Sequence, residues 1–372
     1  MRILYDGEVF RSQTVGGINR YFQNLIKNLP PSFRPTILAT LDSDISQIAH
    51  PKLKVHRYGR ERLGTFSYRL NKHFAQIERT SWDRMKWTRR FDVAHPTYYW
   101  LITQGQLANY QCPVVVTVHD MIYELFPSPY LDPTGERTQL KRNAILGADA
   151  IICVSQHTKQ DLLRLFRIPE DKITVIYEAA SLDATMAHGQ EKIPSRRYYL
   201  YVGTRAPHKN FLLLLKAFAK ANSVDRDLSL CVVSRPEFDD EEKKLLVELR
   251  IEDRIEQYVE ITDEHLAKLY RGSVALVYPS LYEGFGIPPL EAMVCGTPVV
   301  VARSSSLPEV VGDAGIYFDP HSADELADIL TDLARNDSLR RQLISKGFQR
   351  AKMFDWKKTT AETVRVYRSL VN

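Results

Sequence analysis

Tyr278-Pro-Ser-Leu-Tyr-Glu-Gly-Phe-Gly-Ile-Pro-Pro-Leu-Glu-Ala-Met293 is the stretch from which the rest of the chain can be read. The apolar run Ala275–Tyr278 leads into it and reads as a buried strand. Gly284 and Gly286 then make a loop, and Pro288 and Pro289 pre-set φ for a first helical turn. A helix N-terminus presents unpaired N–H groups, which favour a phosphate. Glu283 and Glu291 bracket this turn, eight positions apart. A carboxylate can accept from two hydroxyls at once, so the pair suits a ligand with polyol groups on both sides of a diphosphate. The plainer alternative is a tight turn in which Glu291 is a favourable first-turn charge.

The same strand–loop–helix rhythm extends in both directions. Toward the N-terminus, strands are expected at 3–5, 36–40, 93–95, 114–119, 150–154 and 173–177, with helices at 18–29 and 156–166. On the other side, strands are expected at 198–202, 228–233, 255–259, 275–278 and 298–301. Helices are expected at 211–221, 241–249, 264–271 and 291–295, and a helical tail runs from 322 to 372. Short apolar strands alternating with helices predict an α/β protein with parallel sheets covered on both faces. The polar, aperiodic stretch 182–197, with Gly189 and Pro194, reads as a linker. At roughly 150 residues per domain, 372 residues make about two domains. They are expected at 1–185 and 196–355, both doubly wound. Ligands of such sheets sit at the carboxyl ends of the strands, so the site is expected in the cleft between the halves.

Composition narrows the chemistry. With 44% hydrophobic and 26% charged residues, the chain is neither disordered nor fibrous. No G-x-G-x-x-G follows a strand, and no Walker A, H-E-x-x-H or G-x-S-x-G sequence occurs. Cys112, Cys153, Cys231 and Cys295 are too far apart for a zinc or redox motif, which fits a reduced, cytosolic setting. The N-terminus reads as a first strand, not a signal peptide, and no apolar run approaches the ~18 residues of a membrane span.

Here the resemblance becomes specific. Glu283 and Glu291 resemble the E-x7-E motif of retaining glycosyltransferase family 4. The surrounding P-S-L-Y-E-G-F-G-I-P-P-L-E-A-M, Gly296–Val300 and Ser306–Gly315 look like that family nearly residue for residue. The resemblance implies the GT-B fold, two facing Rossmann-like domains with the active site between them, and a C-terminal helix, 356–372, that returns to the N-terminal domain. It implies that Glu291 binds the ribose of a nucleotide-sugar donor and Glu283 the hexose hydroxyls. The N–H groups of Phe285, Gly286 and Ile287 would help hold sugar and phosphates. Lys209, in Tyr201-Val-Gly-Thr-Arg-Ala-Pro-His-Lys209, matches the family's diphosphate lysine. Thr204 stands where the family often has an arginine, and Arg205 would substitute one position later. Gly16 and Gly17 match the loop that caps the diphosphate from the N-terminal half. His119, in Val116-Thr-Val-His119, resembles the residue that contacts the donor sugar. After the strand that ends near Tyr177, the family commonly has Asn-Gly, whereas Glu178 and Ala179 stand here.

The implied reaction moves a hexose from a nucleotide diphosphate sugar to an acceptor hydroxyl with retention. The donor leans to GDP-mannose because Ser304–Pro320 looks similar to mannosyltransferase-like members. No cofactor and no metal ion are expected. Residues 52–90 hold twelve basic and three acidic side chains, a local +9 against a total of +5, with six aromatics interleaved. This basic stretch suits an anionic membrane surface or a lipid diphosphate acceptor, with nucleic acid the less favoured partner. The expected location is the cytoplasm, with room for peripheral attachment to the inner face of the membrane. The competing readings are a nucleotide-sugar epimerase or hydrolase, a phosphorylase, and a non-enzymatic basic membrane-binding module.

Overall fold

The computed structural model describes residues 1–12, 16–58, 90–102, 107–127, 132–187 and 190–371. The chain forms two compact units, residues 1–178 with 356–372, and residues 179–355.

In the first unit, β1 (Arg2–Asp6), β2 (Arg34–Thr40), β3 (Lys54–Tyr58) and β4 (Val93–Ala94) pair in the order β3-β2-β1-β4. β5 (Val115–Val118), β6 (Ala150–Cys153) and β7 (Ile173–Val175) pair in that order. All pairs are parallel. A parallel bridge between Ala94 and Val114 joins the two sets, so the strand order reverses direction between β1 and β4. Gly7 ends β1 because only glycine fits: a Cβ there would lie 2.3 Å from the Leu38 carbonyl oxygen, which accepts the Gly7 N–H at 2.8 Å. The helix Gly17–Lys27 buries Tyr21, Phe22, Leu25 and Ile26 along one face, the 3.6-residue pattern of a surface helix.

The C-terminal helix Trp356–Ser369 belongs to this unit and buries Val364, Val366 and Tyr367 in its core. Its hydroxyls find polar partners there. Tyr367 Oη lies 2.6 Å from His95 Nδ1 and 3.2 Å from Tyr5 Oη, and His95 Nε2 lies 2.9 Å from Thr117 Oγ1. Burial, aided by nearby His119, pushes the His95 pKa down to about 3, so the ring is neutral.

The second unit has one six-stranded sheet, all parallel. Its strands are β8 (Arg197–Val202), β9 (Leu228–Val233), β10 (Ile255–Tyr258), β11 (Ala275–Tyr278), β12 (Val299–Ala302) and β13 (Gly315–Phe318). The order β10-β9-β8-β11-β12-β13 reverses between β8 and β11, the doubly wound arrangement of mononucleotide-binding folds. Three tyrosines on buried β8 each donate to a carbonyl: Tyr198 to Leu269 at 2.8 Å, Tyr199 to Leu330, and Tyr201 to Thr204 at 2.5 Å. A tyrosine-rich strand is therefore buried without orphaned hydroxyls.

Two strands, β3 and β13, were not named from sequence, nor were the helices Glu8–Ser12, Ile122–Leu125, Glu136–Gly147 and Leu307–Val311. β3 and β13 are sheet edges; β3, Lys-Val-His-Arg-Tyr, is largely exposed and lacks an apolar run, whereas β13, Gly-Ile-Tyr-Phe, is a short apolar run that was not named. The helix Glu136–Gly147 buries Lys141 alongside Ala144 and Ile145, which breaks the apolar stripe. The chain passes from one unit to the other at Glu178–Ala179. The stretch read as a linker lies along the second unit: Lys268 Nζ donates to the Glu191 carbonyl at 2.6 Å, and His265 Nε2 to the Lys192 carbonyl at 2.9 Å. Most of the basic stretch, residues 59–89, lies outside the described residues. Among the described residues no helix is long and apolar enough to cross a membrane.

Candidate active site

In the second unit, the sheet order reverses between β8 and β11, and the segments leaving the carboxyl ends of these two strands build one site. The segment after β8 runs through a 3₁₀ turn, Pro207–Lys209. It joins the segment after β11 through the Leu281 N–H, which donates to the His208 carbonyl at 2.8 Å. That contact sets Lys209 against Glu283. Lys209 Nζ lies 2.7 and 2.9 Å from the two carboxylate oxygens of Glu283. The side chains are 16% and 10% exposed. Tyr278 Oη is fully buried and, with Glu283 as its charged neighbour, is pushed well above the ordinary tyrosine range.

The loop carrying Glu283 is held by three consecutive serines. Ser304 Oγ donates to the Ser280 carbonyl at 2.6 Å, and Ser305 Oγ accepts the Glu283 N–H at 2.8 Å. Ser306 Oγ lies 3.0 Å from the Glu283 carbonyl and 2.7 Å from that of Phe285. Gly286, at φ 113, turns this loop into the helix Ile287–Val294. A Cβ at Gly286 would lie 2.9 Å from Leu307 Cδ2, so glycine is required by both backbone and space. Pro288 and Pro289 have no N–H to offer at the start of this helix. Glu291 is the fifth residue of this helix, beyond the first turn expected from sequence; it is buried, with Tyr270 Oη donating to Oε2 at 3.3 Å.

Arg205 stands apart from that pair. Its Nε and one terminal nitrogen hold Glu242, while the remaining donors go to Ser234 Oγ and the carbonyls of Pro236 and Glu237. All five guanidinium donors are thus committed within the unit, with Phe238 stacked 4.8 Å from the guanidinium carbon. Glu242 also closes the capping box of the helix Asp240–Glu248 with Asp239.

In the first unit, Gly16 precedes the helix Gly17–Lys27, and a Cβ on Gly17 would meet nothing within 4 Å. Packing therefore does not demand a glycine at Gly17. His119 follows β5 directly. Its Nδ1 lies 3.0 Å from Glu178 Oε1, and its N–H donates to Tyr99 Oη at 3.2 Å. The adjacent Asp120 accepts the Ile122 N–H at 3.0 Å, and its carbonyl accepts Lys141 Nζ at 2.7 Å. Lys141 also reaches Glu124 at 2.8 Å, so this buried lysine is fully compensated.

Glu283, Lys209, Phe285, Gly286, Ile287 and Glu291 therefore belong to the second unit, and Gly16, Gly17 and His119 to the first. Sequence reasoning missed the serine clasp, whose only signal is the run Ser304–Ser306, and the partner of His119, which stood as an unexplained Glu178. No group of three or more metal-ligating side chains occurs among the described residues. The cysteines are free thiols; burial raises Cys112 to about 11 and Cys153 and Cys295 to about 12, which disfavours the nucleophilic thiolate.

Known proteins resemble this chain in sequence and fold. The family model of the glycosyl transferases group 1 matches residues 185–350, and that of Glycosyltransferase Family 4 matches residues 15–184. The O-antigen chain mannosyltransferase B of Escherichia coli is 33% identical over 269 residues, 69% of this chain and 70% of that protein. The MMP alpha-(1->4)-mannosyltransferase of Mycolicibacterium hassiacum is 29% identical over 295 residues, 76% of this chain and 71% of that one. Among solved structures, the sucrose-phosphate synthase of Thermosynechococcus elongatus superposes with a TM-score of 0.78 at 21% identity, covering 99% of this chain and 98% of that one. Anabaena HepE in complex with UDP and glucose gives 0.73 at 18% identity, covering 99% of both.

Proposed function

This chain belongs to glycosyltransferase family 4, as a glycosyltransferase of the GT-B fold in the mannosyltransferase-like group, and from that premise we propose that it moves a mannosyl unit from GDP-mannose to a hydroxyl of a saccharide or lipid-linked saccharide. Transfer proceeds with retention at the anomeric carbon and without a metal ion. The observation that carries this reading is the Lys209–Glu283 pair beside the point where the strand order reverses. The mannosyltransferase relatives support the choice of sugar.

The pair supplies what a nucleotide-sugar donor needs. An ammonium has three donors, so Lys209 can keep one carboxylate oxygen while it binds a phosphate oxygen. Each bond it gives up frees Glu283 to accept from sugar hydroxyls. Glu291 is assigned to the ribose, and the amides of Phe285, Gly286 and Ile287 to sugar and phosphate. Gly16 and Gly17 are assigned to the diphosphate and His119 to the donor sugar. Because the donors of Arg205 are all committed, the charge on the leaving diphosphate is assigned to Lys209.

Retention by double displacement would need a carboxylate nucleophile beneath the anomeric carbon. Both oxygens of Glu283 are engaged by Lys209, which favours hydroxyl recognition over attack. We therefore assign a front-face reaction. The acceptor hydroxyl forms the new bond to the anomeric carbon as the bond to the diphosphate oxygen breaks, and the departing diphosphate takes the hydroxyl proton. The protein supplies positioning and charge stabilisation. The basic stretch 52–90 is the proposed contact for an anionic acceptor or leaflet. A panel of GDP-, UDP- and ADP-sugars, scored by thermal shift and slow donor hydrolysis, tests the reading. GDP-mannose is expected to protect and to be hydrolysed; protection by UDP- or ADP-sugars alone would overturn the donor.

A further inference from the structure

β5 and β7 flank β6 in one parallel sheet, so the residues that leave their carboxyl ends emerge at the same edge. His119 leaves β5 and Glu178 follows β7, and their side chains meet at 3.0 Å between Nδ1 and Oε1. They are 10% and 7% exposed. The imidazole is held on several sides. Tyr21 lies edge-on at 5.0 Å, Phe22 at 6.3 Å, and the His119 N–H is bound by Tyr99. Glu178 is anchored next door, where Thr359 Oγ1 donates to the Tyr177 carbonyl at 2.7 Å. The other ring nitrogen, Nε2, is buried and has no hydrogen-bond partner among the described residues.

We propose that Glu178 is a positioning residue that fixes the tautomer of His119, so that Nε2 accepts a hydrogen bond from a hydroxyl of the donor sugar; this rests on the function proposed above. A carboxylate can only accept, so in the tautomer that this contact selects the proton sits on Nδ1 and the lone pair on Nε2. A buried acceptor without a partner costs about 1–3 kcal/mol, which a ligand hydroxyl recovers. A hydroxyl is the complementary group, because it donates, whereas a phosphate oxygen facing this lone pair would be repelled. The amide oxygen of a glutamine would hold the same proton, but an aliphatic side chain would not.

Histidine-selective ¹⁵N labelling of the whole chain tests this, with the His119 signals identified by their loss in His119→Gln. The expected wild-type spectrum shows a protonated Nδ1 and an unprotonated Nε2. Glu178→Gln should keep that pattern and most of the transfer activity. Glu178→Ala should give mixed tautomers and lower kcat/KM on the order of 10–100-fold, measured well below its own melting transition so that the protein is fully folded in the assay. Wild-type protein with a protonated Nε2 overturns the proposal. So does Glu178→Ala that keeps both the wild-type tautomer and wild-type kcat/KM. A wild-type protein that has the expected tautomer but turns over no donor upholds the positioning and overturns the functional reading instead.

Discussion

The Lys209–Glu283 pair allows stability and activity to be separated. Replacing Lys209 by methionine keeps the stem and removes the ammonium. Glu283 then loses hydrogen bonds at 2.7 and 2.9 Å, with its side chain 10% exposed. Removing one partner of a buried pair costs about 3–5 kcal/mol, and the residual exposure points to the lower end, about 3 kcal/mol. Glu283→Gln leaves Lys209, whose longer stem can carry its charge outward, so its cost should stay below about 1 kcal/mol. The double variant Lys209→Met/Glu283→Gln strands no charge and should be close to Glu283→Gln alone. A unit of this size loses about 2–4 °C per kcal/mol, so Lys209→Met should melt about 6–12 °C below wild type. Differential scanning calorimetry of the four proteins gives the coupling, expected to be about 2 kcal/mol or more. Both single variants should nevertheless lose transfer, because each removes a ligand-binding group. Additive melting shifts, or a Lys209→Met loss under about 2 °C, would show that the pair is not the buried, interdependent unit described here.

Three further outcomes follow from the same geometry. Tyr367→Phe removes the hydroxyl shared by His95 and Tyr5 and should cost about 2 kcal/mol, read as a melting decrease of about 4–8 °C in the first unit. His95 stays neutral when folded down to a pKa of about 3, while the unfolded ring takes a proton near pH 6.5. Its contribution is therefore present above about pH 6.5 and lost as pH falls from there toward 3; acid titration of His95→Gln should show a shallower decline over that window than wild type. Because lysine and amide groups carry the diphosphate charge in the proposed reaction, turnover of GDP-mannose should persist in excess EDTA, and a clear loss restored by a divalent ion would contradict that assignment.

Much of the fold was legible in the sequence because parallel strands buried on both faces are apolar runs. β9 and β11 fall on the expected residues. β3 was not legible because this exposed edge strand carries no continuous apolar run, and the short apolar run of β13 was not named. The helix Glu136–Gly147 was hidden by Lys141, a charge made tolerable by the Asp120 carbonyl and Glu124, folded onto it. The site divides in the same way. Glu283, Glu291 and the glycine turn lie within one short stretch, so spacing and resemblance single them out as candidates. The Lys209–Glu283 contact spans 74 positions and exists only because β8 and β11 are neighbours. The commitment of Arg205 likewise depends on Glu242, 37 positions away. His119 stood out at a strand end, but the use of Glu178 waited on the alignment of β5 with β7.

The most direct test is GDP release from GDP-mannose by wild type and Glu283→Ala, with a series of simple mannosides as acceptors. Wild-type release should rise with acceptor, and a mannosyl product with retained anomeric configuration should appear. Glu283→Ala should retain the folded state and show neither. Wild-type rates of transfer in Glu283→Ala would contradict the assignment of this carboxylate to the donor sugar, and with it the account of the site.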